Sequence, residues 1–154
     1  MKEIYDTILK IKNFCACNES NISASCHIGM AELKGLNAMK KDEAITCTEL
    51  AKRMNLSLSR GSRIIDSLVK KGYILRKTYH LDRRSTMLCL TEKGRKLKND
   101  ITKEQKAFEE YIKSELNTQE IESIKKGLKI LEKFLVYNKK GEKNVRKNCN
   151  GSQG

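Results

Sequence analysis

The chain has 154 residues, with 32 Lys and Arg against 19 Asp and Glu, a net charge of +13. That length suits one domain burying roughly 68–70% of its unfolded surface, so folding requires neither disulfides nor metal. No run approaches 18 apolar residues and Met1 to Phe14 mixes charge with apolar residues, which excludes a membrane-spanning helix and a secretory leader. A cytoplasmic protein with no membrane partner is expected. The charge excess points to a polyanion, with a merely solvated lysine-rich surface as the alternative. Six Cys in such a compartment read as thiols, metal ligands or redox groups rather than a disulfide framework. There is no proline, so turns must rest on Gly, Asn, Asp and Ser.

In chain order, the first helix is expected over about Lys2 to Ala16, where Ile4, Ile8, Ile11 and Cys15 form one apolar stripe. The uncharged segment from Ser20 to Ala31 begins as a loop and leads into a second helix, about Met30 to Lys40. A turn follows at Lys41-Asp42-Glu43. Thr46-Cys47-Thr48-Glu49 has the form of a capping box and opens a third helix carrying Leu50, Ala51 and Met54 inward. After the turn Asn55-Leu56-Ser57, Ser57 caps a fourth helix from Leu58 to Lys71, and Gly72 ends it. The period then changes: Tyr73 to Lys77 and Thr86 to Leu90 read as two strands of a hairpin with a charged tip. A fifth helix opens at Thr91 and runs to about Leu116. A sixth, capped by Thr118, has Ile121, Ile124, Leu128, Leu131 and Leu135 along one seam. The segment 138–154, rich in Lys, Asn, Gly and Ser, is expected to be a basic, disordered tail.

The third and fourth helices, joined by a short turn, form a helix-turn-helix pattern. Ser59, Arg60, Ser62 and Arg63 stand in the first turns of the second of them, the end that enters the DNA major groove in this motif. Arg can grip guanine through two hydrogen bonds, and Ser can donate to a base or a phosphate. The hairpin adds Asp82, Arg83 and Arg84 at its tip, flanked by Lys77 and His80; an inserted Arg suits a narrow minor groove. His80 is a phosphate contact or a solvated residue. Residues 44–91 hold ten Lys and Arg against three Asp and Glu, so the basic excess is concentrated on this segment. The seams of the first, fifth and sixth helices are hard to bury against one small domain; pairing with a second copy solves this by two-fold symmetry, with an intramolecular bundle as the alternative.

Thr46-x-x-Glu49-Leu50-Ala51, Leu56-Ser57, Ser62-Arg63-Ile64-Ile65-Asp66-x-Leu68-x-Lys70-Lys71-Gly72-Tyr73-Ile74, Asp82-Arg83-Arg84-Ser85 and Leu90-Thr91-x-x-Gly94 together resemble the MarR family of winged helix-turn-helix regulators. The resemblance implies a mainly α fold with a small β-hairpin wing and flanking dimerisation helices. Its parts would be 30–94 for the winged helix-turn-helix and about 1–29 and 95–137 for the dimerisation helices. It implies an obligate homodimer on a pseudo-palindromic operator, a transcriptional regulator acting as a repressor. Ser59, Arg60, Ser62 and Arg63 would read the operator, Arg84 would enter the minor groove and Asp82 would brace the wing. Gly61 departs from the family, which often has a side chain there; it lets the backbone approach DNA or it loosens the helix. The first helix also reads as short.

Cys15, Cys17, Cys26 and His27 fall close together, and Cys47 begins the third helix. Three readings stay open: ligands for zinc or an iron–sulfur cluster, thiol switches answering an oxidant, and simple packing. In the resemblance this region borders the cleft where a small effector, metal or oxidant would act. Cys89 and Cys149 are read as structural or incidental. No phosphate-binding glycine loop, H-E-x-x-H or Ser-His-Asp arrangement is present, so an enzyme is not expected. The rival to a specific regulator is a sequence-nonspecific RNA- or nucleoid-binding protein.

Overall fold

The computed structural model describes residues 2–78 and 86–149, with side chains through residue 134. The chain forms two compact units, 1–108 and 109–154. Its elements are α1 (Lys2–Ser25), α2 (Met30–Ala38), β1 (Ile45–Thr46), α3 (Cys47–Arg53), α4 (Leu58–Lys70), β2 (Ile74–Thr78), β3 (Thr86–Leu90), α5 (Glu92–Ser114) and α6 (Thr118–Cys149). The three strands form one antiparallel sheet in the order β1-β3-β2. This is the expected mainly helical winged architecture. No helix among the described residues is long and apolar enough to cross a membrane.

Two boundaries differ from expectation. Helix α1 continues past Ala16 to Ser25, so the first helix is long and the Cys15–Cys17 segment is helical. Residues 17–25 contain neither Gly nor Pro, and Ile22 and Ser23 are buried, so packing outweighs the weak helix preference of Asn and Ser. Helix α6 likewise runs to Cys149, across residues expected to form a disordered tail; nothing in 138–149 resembles a proline stop. Its cap is Asn117 rather than Thr118. The Asn117 side chain accepts from Glu120 N at 3.0 Å, and Glu120 accepts from Asn117 N at 2.9 Å.

Three helices of the first unit end in the same way. His27 after α1, Asn55 after α3 and Gly72 after α4 all have positive φ, at 53°, 58° and 76°. In each case the next N–H reaches back to a carbonyl five residues earlier: Ile28 to Ser23, Leu56 to Ala51 and Tyr73 to Leu68. These are Schellman endings, which satisfy the last carbonyls and turn the chain sharply. Asn and Gly are legible stop signals; a His in that role is not.

The core draws on α2, α3, α4 and the sheet. Leu36, Leu50, Ile65, Leu68 and Leu88 have no exposed surface. Packing at α4 is close because of two glycines. A Cβ on Gly61 would lie 2.6 Å from the Ala51 Cβ of α3, and one on Gly35 of α2 would lie 2.8 Å from Leu68 Cδ1. Gly61 is buried, so it serves helix contact and neither of the roles expected for it from sequence. A third glycine explains the Leu-Thr-x-x-Gly motif. Thr91 Oγ1 accepts from Gly94 N at 3.0 Å and donates to Gly72 O at 2.6 Å. That cap lays Gly94 against the end of the α4–β2 turn, where an added Cβ would sit 2.0 Å from Tyr73 O.

Substituting these glycines by Ala should therefore destabilise, despite the gain of about 1 kcal/mol in helix propensity. For Gly61→Ala, overpacking of about 1–3 kcal/mol outweighs that gain. Gly94→Ala should cost more, because its clash is with backbone that cannot rotate away. Urea denaturation of both variants tests the ranking; a Gly61→Ala protein more stable than the parent would refute the close contact.

Candidate nucleic-acid interface

Helix α4 begins at a cap that the sequence announces: the Ser57 side chain accepts from Arg60 N at 3.4 Å. Its inner face, Gly61, Ile65 and Leu68, is buried. Ser59, Arg60 and Arg63 are exposed in its first two turns, and Ser62 is half-buried beside them. These four expected residues therefore share the outward part of one helix end. The free N–H groups there, at the positive end of the helix dipole, favour an anion. Lys77 is exposed on β2. His80, Asp82, Arg83 and Arg84 lie outside the described residues.

The basic groups on this surface differ in what they meet. Arg53 pairs with Glu43 at 2.7 Å and Arg95 with Asp42 at 3.6 Å. Arg60, Arg63 and Lys77 have no carboxylate partner among the described residues. Arg60 and Arg63 thus hold charge that no described carboxylate compensates at the helix end that the motif directs to the groove, and Lys77 does so on β2.

Two contacts that sequence reasoning missed hold α4 in place. Arg76 of β2 pairs with Asp66 of α4 at 2.5 Å, tying the root of the wing to the middle of the helix. Glu32 of α2 is buried, yet fully satisfied: it accepts from Gly29 N at 3.0 Å, Ser67 Oγ at 2.6 Å and Lys71 Nζ at 2.8 Å. Burial alone would push its carboxyl up. The bonds from Lys71, Ser67 and Gly29 outweigh burial and hold it below the ordinary carboxylate value. The legible signal was Gly29-x-x-Glu32, a carboxylate at the third helical position that accepts from the backbone N–H of the glycine preceding the helix. At α3 the expected cap is present on one side: Thr46 Oγ1 accepts from Glu49 N at 3.2 Å, while the Glu49 carboxylate lies 3.6 Å from Arg53.

The cysteines do not converge. No group of three or more His, Cys, Asp and Glu placed to hold a metal occurs among the described residues, Cys15, Cys17, Cys26, His27 and Cys47 included. The physical reason lies in α1. On a continuous helix Cys15 and Cys17 point about 200° apart, and both are exposed. Cys26 is half-buried beyond the helix end, and burial pushes its thiol pKa up despite a hydrogen bond with Ser25, which disfavours a thiolate. His27 is the left-handed residue that ends α1. Cys47 and Cys89 are half-buried free thiols.

A helix-turn-helix packed under a small antiparallel sheet, with a charged strand leading into the wing, defines a winged helix-turn-helix protein. The model of the MarR family matches residues 28–86, which span α2 through the start of β3. The chain resembles FabT of Streptococcus pneumoniae, whose structure was solved in complex with DNA: TM-score 0.78, 28% identity, 87% of this chain and 96% of that one. It also resembles a MarR transcriptional regulator from Methanosarcina mazei Go1, with TM-score 0.73, 23% identity and coverage of 89% and 99%. An uncharacterized HTH-type transcriptional regulator of Bacillus subtilis (strain 168), YfiV, is 24% identical over 139 residues, 90% of this chain and 87% of that one. Residues 28–86 thus carry a MarR-family domain, the domain of a family of transcriptional regulators.

The Glu32 clamp yields a pH prediction. Because the folded pKa lies below the unfolded one, the clamp stabilises fully above the unfolded carboxyl value and is lost as pH falls through the folded one. Glu32→Gln should lose about 1–3 kcal/mol at pH 7, and its stability should fall less steeply than the parent's on acidification. Thermal denaturation between neutral and acid pH measures both; parallel curves would contradict the assignment.

Proposed function

We propose that the chain is a homodimeric repressor that binds double-stranded DNA at a pseudo-palindromic operator. The observation that carries this is the set of Arg60 and Arg63, without a carboxylate partner among the described residues, beside Ser59 and Ser62 at the outward N-terminal end of a helix whose opposite face is locked into the core. Arg60 and Arg63 suit guanine or phosphate, and the serines suit a base edge or phosphate. Lys77 continues the basic surface toward the wing, where Arg83 and Arg84 would reach the adjacent minor groove and Asp82 would brace them. The complex of FabT with DNA supports the same use of a similar fold.

The long helices supply the argument for pairing. Ile4, Ile8 and Ile11 are exposed on α1, as are Ile124, Leu128 and Leu131 on α6. Leaving such stripes in water is costly, and an isologous contact covers the same patch on both copies. Cys15 continues the α1 stripe and would be covered with it, which gives that thiol a packing role. Two copies place two recognition helices on half-sites about 10 bp apart. A dimer lying across two successive grooves blocks that stretch of promoter to other proteins, which is repression by occupancy.

Two measurements test this. Selection from a random 30-bp duplex library should enrich an imperfect palindrome, and Arg63→Ala should weaken binding to it by ~1–3 kcal/mol with relaxed sequence preference. Equal affinity for random duplex, or a preference for RNA, would overturn the reading. In sedimentation velocity the parent should be a dimer, and Leu128→Asp should shift it toward monomer; a monomeric parent would refute the pairing.

A further inference from the structure

Leu58 is the first residue of α4 and is 51% exposed. The other exposed large apolar residues described, save Met30, lie on α1, α5 and α6. Most of those stand in stripes that a second copy would cover. Leu58 stands apart from them, next to Ser59 and Arg60, and one helical turn before Ser62. It is not part of the core, whose α4 members are Ile65 and Leu68 with Ile64 and Val69 packed against them. Nothing in the packing of α3 on α4 requires it, because Gly61 makes the contact with Ala51.

The base edges exposed in the major groove include one apolar group, the 5-methyl of thymine. The first turn of a helix-turn-helix recognition helix is the part that reaches those edges. We infer that Leu58 reads a thymine methyl in each half-site, an apolar contact beside the polar ones of Ser59, Arg60 and Arg63. This rests on the DNA-reading function proposed above and deepens it: the preferred half-site contains a thymine chosen by its methyl group. The contact is favourable because water leaves both surfaces. Cytosine lacks that methyl, so the contact discriminates without a hydrogen bond.

The test uses the full-length protein and duplexes enriched from the random 30-bp library. Each thymidine is replaced in turn by 2′-deoxyuridine, which removes only the methyl and keeps every hydrogen-bonding group. One position per half-site should lose affinity for the parent, by about fourfold per methyl as for one buried methylene. Leu58→Ala should bind the thymidine duplex with the same loss and should be indifferent to uridine at that position. Its dependence on salt should match the parent's, because no phosphate contact is removed. Leu58 is exposed and Ala favours a helix, so this variant should keep the parent's denaturation midpoint. If uridine weakens the parent and Leu58→Ala equally at every sensitive position, or weakens neither, the inference is wrong while sequence-specific binding stands. If no sequence is enriched at all, the inference and the DNA-reading function fall together.

Discussion

Two glycines let α4 lie closer to its neighbours than any side chain would allow, and the remaining geometry follows from that. With 2.6 Å between a notional Cβ at Gly61 and Ala51, α3 fixes the inner side of the recognition helix at backbone distance. Gly35 of α2 leaves the space that the Leu68 and Ile64 side chains of α4 fill. Close packing of this kind is rigid because interiors are dense and yield little. The helix can then be held by few polar contacts. Glu32 and Lys71 secure its C-terminal half to α2, and Asp66 with Arg76 secures its middle to the wing root.

Those two polar contacts differ in kind. Glu32 is buried and meets three donors, so its removal leaves groups unsatisfied and is felt by the fold. Asp66 and Arg76 are both substantially exposed, at 60% and 43%. Such a pair adds little stability in water. Its effect is orientational: it keeps a carboxylate on the recognition helix occupied by an arginine of the same protein. An unpaired Asp66 would present negative charge on a helix proposed to face phosphates.

Much of this was legible in the residues, for local reasons. Ser57, Asn55 and Gly72 mark their helix ends because side-chain capping and left-handed backbone are chemical properties of those residues. The short β-prone runs Ile74–Thr78 and Thr86–Leu90, on either side of a charged segment, mark the hairpin. What escaped was non-local. A two-residue strand such as β1 has no period to detect; it exists because β3 offers it an edge. The length of α1 depended on burial of Ile22, which no local preference reports. The directions of Cys15 and Cys17 escaped for the same reason: neighbours in sequence face different sides once the segment is helical. Gly61 was noticed as unusual but assigned to DNA or to looseness, because its contact with Ala51 depends on the crossing of two helices. At the interface, the grouping of Ser59, Arg60 and Arg63 on an exposed helix end followed from spacing, whereas the braces Glu32 and Arg76 required the fold.

The division of α4 into a glycine-packed inner side and a polar outer side also shapes how such a protein can diverge. Changes at Gly61, Ile65 or Leu68 strike the core and are closed to selection except through compensation. Changes at Leu58, Ser59, Arg60 or Arg63 touch solvent and leave the core alone. A new target sequence is therefore reachable by successive single substitutions, each keeping a folded protein. On one short helix, the capacity to acquire a different regulon is separate from the capacity to fold.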